Sequence, residues 1–211
     1  MKKKYIELPK GYLSYSQIQS WRGNPKRYKE VYFDGRTEFS IYNEGMEYGK
    51  QFADALETYT DTNDLLTDAS ILLLAKYDVR DQEIRAELKT KDGCIPLLGR
   101  PDTMNSKTFA FREYKTGKQP WTQNKANKHF QLYFYAMLIY LKYGVVVEKC
   151  HLDWIETEVV NNKTQPTGKT LSFPVKIGLR KILETMSETI VVAKEIELAY
   201  ASHITRPEDK F

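Results

Sequence analysis

Three side chains within one short stretch could do chemistry together: Asp102, Glu113 and Lys115. They lie in Gly99-Arg100-Pro101-Asp102 and in Phe109-Ala110-Phe111-Arg112-Glu113-Tyr114-Lys115-Thr116-Gly117-Lys118. The two runs read as adjacent strands, with Asn105, Ser106 and Lys107 making the turn between them. Residues two apart on a strand share a face, so Glu113 and Lys115 project together, and Asp102 on the neighbouring strand faces them across the ladder. Two carboxylates and one ammonium at one point can hold a hard divalent cation with a water beside it. Glu-x-Lys alone carries little weight in a chain that is 28% charged, where an exposed charge pair is the ordinary reading. Its weight comes from the hairpin spacing and from matching parts elsewhere.

The elements needed to position these groups are legible as pattern. Residues 1–12 read as a basic, partly extended arm whose Lys2, Lys3 and Lys4 are first of all a solvated tail. Ser14-Tyr15-Ser16-Gln17 fits a capping box opening a helix, and Gly23-Asn24-Pro25 stops it and starts the next. The spacing predicts further helices over about 40–60 and 64–77, completing a helical part over 13–78. Period-two patterning predicts strands at 83–88, 94–104 and 108–116, with Pro96 suited to an edge. A helix over 124–142 ends at Gly144, strand returns over 145–158, 161–169 reads as a polar turn, and 175–200 as a long closing helix. Residues 201–211 read as loose. Residues 82–158 thus hold the catalytic sheet and helix of one α/β (α+β) domain: a central mixed sheet flanked by helices, with an N-terminal helical part and a long C-terminal helix.

Composition fits a globular domain: 211 residues, 41% hydrophobic and 13% aromatic. No apolar run nears the roughly 20 residues of a membrane helix, and no signal-peptide h-region follows the basic N-terminus. Two cysteines, Cys94 and Cys150, are too few for a disulfide framework or a cysteine metal site, which suits an intracellular setting. A net charge of +4 is compatible with nucleic acid without demanding it.

Over about residues 12–157 the chain resembles the PD-(D/E)XK nucleases, specifically the RecB-type domain also found in CRISPR-associated and phage recombination exonucleases. Leu13-Ser14-Tyr15-Ser16-Gln17-Ile18, with Asn24-Pro25 and Tyr28, is similar to the family's N-terminal helices. Gly49 to Glu57 resembles its Gly-x3-His-x3-Glu helix, Gly99 to Asp102 its Gly-x-x-Asp motif, Glu113 to Gly117 its Asp/Glu-x-Lys-Thr-Gly motif, and Gln131 to Tyr135 its Gln-x3-Tyr motif. The resemblance implies a restriction-endonuclease-like core. It also implies that Asp102, Glu113 and the main-chain carbonyl of Tyr114 bind Mg²⁺ or Mn²⁺, that Lys115 orients a water, and that Gln131 and Tyr135 hold the substrate backbone or support Lys115. The family's histidine falls on Ala53, so Glu57 is the candidate substitute ligand, with Glu47 and Asp54 as rivals. Asn24 stands where iron–sulfur members carry cysteine, so no iron–sulfur cluster is expected.

The implied function is metal-dependent DNA hydrolysis by an exonuclease of recombination, repair or phage DNA processing, in the cytoplasm of a bacterial or phage-infected cell. The alternative is a nuclease-fold protein that binds DNA ends or a partner without cutting. Arg100, Lys118, Lys125, Lys128 and His129 are candidates for phosphate contacts, each equally at home as plain surface, with Arg100 also able to pair with a carboxylate. Trp121 could stack on a base or pack against its own loop. A homo-oligomer or a recombination partner protein is compatible with the resemblance.

Overall fold

The structure, a computed structural model, describes residues 4–36, 48–52, 54–55, 77–80 and 82–205. Much of the helical stretch expected over 40–60, and all of 64–76, lies outside the described residues, while 48–52 and 54–55 are helical. Helices α1 (Tyr15–Gly23) and α2 (Pro25–Tyr32) form where the capping residues place them. The Ser14 hydroxyl accepts the Gln17 N–H, and the Asn24 side chain accepts that of Arg27 with Pro25 in the first turn.

Among the described residues seven strands follow: β1 (Val79–Arg80), β2 (Ile84–Lys89), β3 (Cys94–Gly99), β4 (Thr103–Met104), β5 (Phe111–Gly117), β6 (Lys149–Val160) and β7 (Lys163–Lys176). β2 and β3 pair as an antiparallel hairpin. The other five form a mixed sheet in the order β1-β4-β5-β6-β7, whose one parallel pair is β5–β6. The parallel pair needs a crossover, supplied by α3 (Gln123–Asn127) and α4 (Phe130–Tyr143). Every residue of α4 from Gln131 to Ile139 is buried, because it packs against β2, β3, α1 and the closing helix α5 (Leu179–Ile204) at once. Gly144 takes a left-handed φ of 72° and ends it. The mixed α/β class with flanking helices and a long C-terminal helix is what the patterning leads one to expect. Among the described residues, no helix is long and apolar enough to cross a membrane.

Several boundaries differ from the sequence reading. The strand expected over 94–104 breaks at Arg100-Pro101-Asp102, since proline has no N–H for the ladder and disfavours helical backbone just before it. The helix expected over 124–142 is interrupted at Lys128 and His129. The strand expected from 145 begins at Lys149. The expected polar turn over 161–169 is mostly strand: Asn161 and Asn162, both at positive φ, suffice for a two-residue hairpin. Residues 175–176 end β7 rather than begin α5, and α5 runs on to Ile204 where the chain was expected to loosen.

Candidate active site

Strand β5 has two dissimilar faces. Phe111, Glu113 and Lys115 point toward α4, while Arg112, Tyr114 and Thr116 point the other way. On the α4 side, the Lys115 ammonium donates to Glu113 Oε1 at 2.6 Å and to Gln131 Oε1 at 2.9 Å. Gln131 Nε2 donates to the Tyr135 hydroxyl at 2.8 Å, one helical turn further along α4. Glu113 is only 3% exposed, and its Oε2 is buried with no hydrogen-bond partner among the described residues. Burial pushes its carboxyl upward, opposed by the charge and hydrogen bond of Lys115 and by the Gln131 amide. Burial works against the Lys115 ammonium, but Glu113 and then Asp102 more than offset it and hold the group charged. Burial, followed by the nearby Glu113 charge, pushes the Tyr135 phenol well up.

Asp102 is not on a strand as the pattern predicts. It sits in the bend after Pro101, just before the two-residue β4. Its Oδ2 accepts the Tyr114 N–H at 2.6 Å, serving β5 as a ladder partner where β4 is not yet paired. That bond brings Asp102 to the β5 backbone, close enough for its charge to act on Lys115. Glu113, Lys115, Gln131 and Tyr135 thus form one hydrogen-bonded chain between β5 and α4, with the Asp102 charge near enough to act on Lys115 and Tyr135.

Gly99, at the end of β3, lets that strand and α4 approach closely beside the site. A Cβ there would lie 2.6 Å from Leu138 Cδ1 and 2.9 Å from Tyr135 Cε1. Gly99→Ala is therefore expected to force β3 and α4 apart at a cost of about 1–3 kcal/mol. A thermal melt checks this; a variant as stable as the parent would mean Leu138 and Tyr135 can both give way.

The opposite face belongs to Tyr114. Its side chain packs with Phe52, Ala55 and Ile155, and its hydroxyl lies 3.3 Å from that of Thr103. The described part of the helix at 48–55 therefore covers the face of β5 turned away from α4, with Gly49 against Thr116. Glu57, Glu47 and Ala53 lie outside the described residues, and Asp54 is exposed. Among the described residues there is no cluster of three or more His, Cys, Asp or Glu side chains fit to hold a metal.

The candidate phosphate contacts are placed unevenly. Arg100 pairs with Glu83 at 2.8 Å, and Glu83 also takes Arg85. Trp121 is half-buried, meets the His129 ring edge-on, and has the Lys125 ammonium 4.2 Å from its ring centroid. Lys118 and Lys128 are exposed. His129 turns inward: its Nε2 lies 3.1 Å from Gln131 Oε1, and burial, then the Lys115 charge, lowers its pKa to about 4. Tyr15 was missed by sequence reasoning. With Tyr12, Ser14, Arg100, Gln131 and Tyr135 it lines a cavity of about 250 Å³ beside the site. An aromatic residue inside an otherwise polar capping stretch is the one signal that could have marked it.

The fold is mixed α/β, with helices flanking a mixed sheet and a long C-terminal helix. It is similar to the crystal structure of an alkaline exonuclease from Laribacter hongkongensis, with a TM-score of 0.54 and 12% identity over 91% of this chain and 91% of that one. It is also similar to a phage-related exonuclease from Haemophilus somnus 129PT, with a TM-score of 0.51 and 9% identity over 93% and 87% of the two chains. A third similar structure, SSO0001, has a TM-score of 0.50 and 12% identity over 88% and 76%. No protein-family model and no curated protein sequence matches the chain. At these identities the likeness is one of fold.

Proposed function

We propose that this chain is a divalent-metal-dependent deoxyribonuclease of the RecB-type branch of the PD-(D/E)XK superfamily, an exonuclease of recombination, repair or phage DNA processing. The observation that carries the reading is the Glu113 carboxylate, buried against Lys115 with one oxygen that has no hydrogen-bond partner among the described residues. A buried acceptor left unsatisfied costs about 1–3 kcal/mol, so its retention makes sense where a cation completes it.

The donor set fits Mg²⁺ or Mn²⁺. Asp102, Glu113 and the Tyr114 carbonyl offer only oxygens, and a magnesium-sized ion is commonly held by one or two carboxylates while keeping waters. Glu57, the remaining ligand candidate, lies outside the described residues. The ion, when bound, lowers the pKa of a water and offsets charge gathering on the scissile phosphate. Lys115, held by Glu113 on one side and Gln131 on the other, is placed to orient an attacking water and to donate to the phosphate oxygens in the transition state. Tyr135 fixes the Gln131 amide from behind. Of the basic candidates, Lys118 and Lys128 carry the DNA backbone contacts, since Arg100 and Lys125 are engaged within the protein. Such contacts make binding weaken with salt.

The test is the loss of linear against closed circular DNA, with and without Mg²⁺ or Mn²⁺. Linear DNA is expected to disappear only with metal while circles survive. Cutting of circles would make the enzyme an endonuclease, and retention of DNA without cutting would favour the binding-only alternative. Metal binding is also expected to stabilise the fold. At tenfold above Kd the gain is about 1.4 kcal/mol, or roughly 3–6 °C in Tm for a chain of this size. Glu113→Gln is expected to abolish that shift.

A further inference from the structure

His129 occupies the N-cap position of α4, yet its side chain makes no capping bond. Serine, threonine, asparagine or aspartate serve that position far better. The imidazole instead reaches Gln131 Oε1, the same oxygen that accepts from Lys115. The Tyr15 ring lies 5.8 Å away at 70° and the Trp121 ring 5.0 Å away at 78°, so the imidazole is held edge-on from two elements.

The chemistry of these contacts assigns the protons on Lys115, the Gln131 amide and His129. An ammonium can only donate, so the Gln131 atom facing Lys115 is the amide oxygen. The amide NH₂ then faces Tyr135, whose hydroxyl accepts from it. The oxygen that meets Lys115 also meets His129 Nε2, so Nε2 must donate to it and carry the proton. Rotating the amide by half a turn would set its NH₂ against both the ammonium and the imidazole N–H, so the two donors on Oε1 lock the amide in one orientation.

We infer that His129 is a positioning residue for Lys115: its Nε2–H holds the Gln131 carboxamide so that Oε1 always faces the ammonium. This departs from the surface role in phosphate binding that its basic neighbours suggest. Burial and the Lys115 charge keep the imidazole neutral, as the single-proton arrangement requires. The catalytic consequence rests on the proposed nuclease reading; the tautomer and the locked amide do not.

Two measurements test this separately. Long-range ¹H–¹⁵N correlation spectra of the histidine side chains at pH 7 are expected to show His129 as one neutral tautomer protonated at Nε2. In Gln131→Leu that signature should give way to a mixture of tautomers. A rapidly averaging or Nδ1-protonated ring in the parent protein would overturn the inference. So would a Gln131→Leu spectrum with His129 unchanged.

The second measurement is steady-state cleavage of linear DNA with Mn²⁺. His129→Leu removes the donor at similar bulk, and is expected to lower kcat about tenfold, the size of one lost hydrogen bond to a charged network. KM should stay within about twofold of the parent, because the residue does not touch substrate. His129→Gln places an amide N–H at the reach of Nε2 and is expected to restore kcat to within about threefold. A rise in KM with kcat unchanged would mean His129 contacts DNA, and equal losses in both variants would mean that packing matters rather than the donor. If His129→Leu fails to fold, the parent spectrum and the Gln variant still decide. If the parent protein cuts no DNA at all, the nuclease reading fails and the spectra alone judge the positioning role.

Discussion

Lys115→Met is expected to lower metal-dependent DNA cleavage by about 10³-fold, the usual scale for losing a group that activates a nucleophile or steadies developing charge. The variant keeps the apolar stem and removes only the ammonium, so the effect reads chemistry rather than packing. Stability should fall far less. Glu113 loses its partner, but burial already favours its neutral form, so the carboxyl takes a proton instead of standing as a bare buried charge. Gln131 Oε1 keeps His129 as a donor. The remaining loss is about 1–3 kcal/mol. Lys115→Arg should be nearly as inactive, because a planar guanidinium fork cannot replace a compact ammonium between Glu113 Oε1 and Gln131 Oε1. Single-turnover cleavage beside thermal melts separates the two effects. Cleavage within tenfold of the parent would remove Lys115 from the chemistry, and a collapse of the melt would show that the pair chiefly holds the fold.

The grouping of Glu113 with Lys115 and of Gln131 with Tyr135 was legible because its spacing is dictated by strand and helix periods. Glu113 and Lys115 share a face by alternation alone, and Gln131 and Tyr135 share one by the helical turn. The break at Pro101 was legible in principle, since a proline before Asp102 argues against an unbroken strand. The hydrophobic run on either side of it, through Leu97, Leu98, Thr103 and Met104, argued the opposite way more strongly. Within 161–169, polar side chains suggested a loop, yet the residues pair through backbone bonds that need no apolar side chain. The inward turn of His129 had no local signal, because Lys125, Lys128 and His129 read together as a basic surface. What draws the imidazole in is Gln131 Oε1, and that acceptor is aimed only after Lys115 and Tyr135 are in place. The difference between Arg100 and Lys118 is likewise tertiary: Glu83, which binds Arg100, lies on the approach to another strand.

Behind the site, Asp153→Ala is expected to be the most damaging single change to stability among those considered. Arg112 and Glu113 are consecutive on β5 and point to opposite faces, so what anchors one positions the other. Arg112 Nη1 donates to both carboxylate oxygens of Asp153 on β6, at 2.8 and 2.7 Å. The side chains are 12% and 2% exposed, so little water would replace a lost partner. Asp153 stands opposite Tyr114 in the parallel register, which makes this pair a clamp across the β5–β6 seam at the level of the site. Removing the carboxylate leaves Arg112 with Ser172 Oγ at 3.4 Å and the Tyr77 ring 5.7 Å away, while its Nε is buried with no hydrogen-bond partner among the described residues. Breaking a buried pair from one side costs about 3–5 kcal/mol, or roughly 10 °C in Tm for a chain of this length. Arg112→Met together with Asp153→Leu should recover most of that loss, because both desolvation costs vanish with the charges. A denaturant titration of the two single variants and the double variant measures the coupling. A loss below about 1 kcal/mol in Asp153→Ala would class the pair with solvated surface bridges. The double variant then carries the functional question: with β5 no longer pinned by charge, a weaker Mn²⁺-induced rise in Tm would show that the clamp on one face sets the carboxylate geometry on the other.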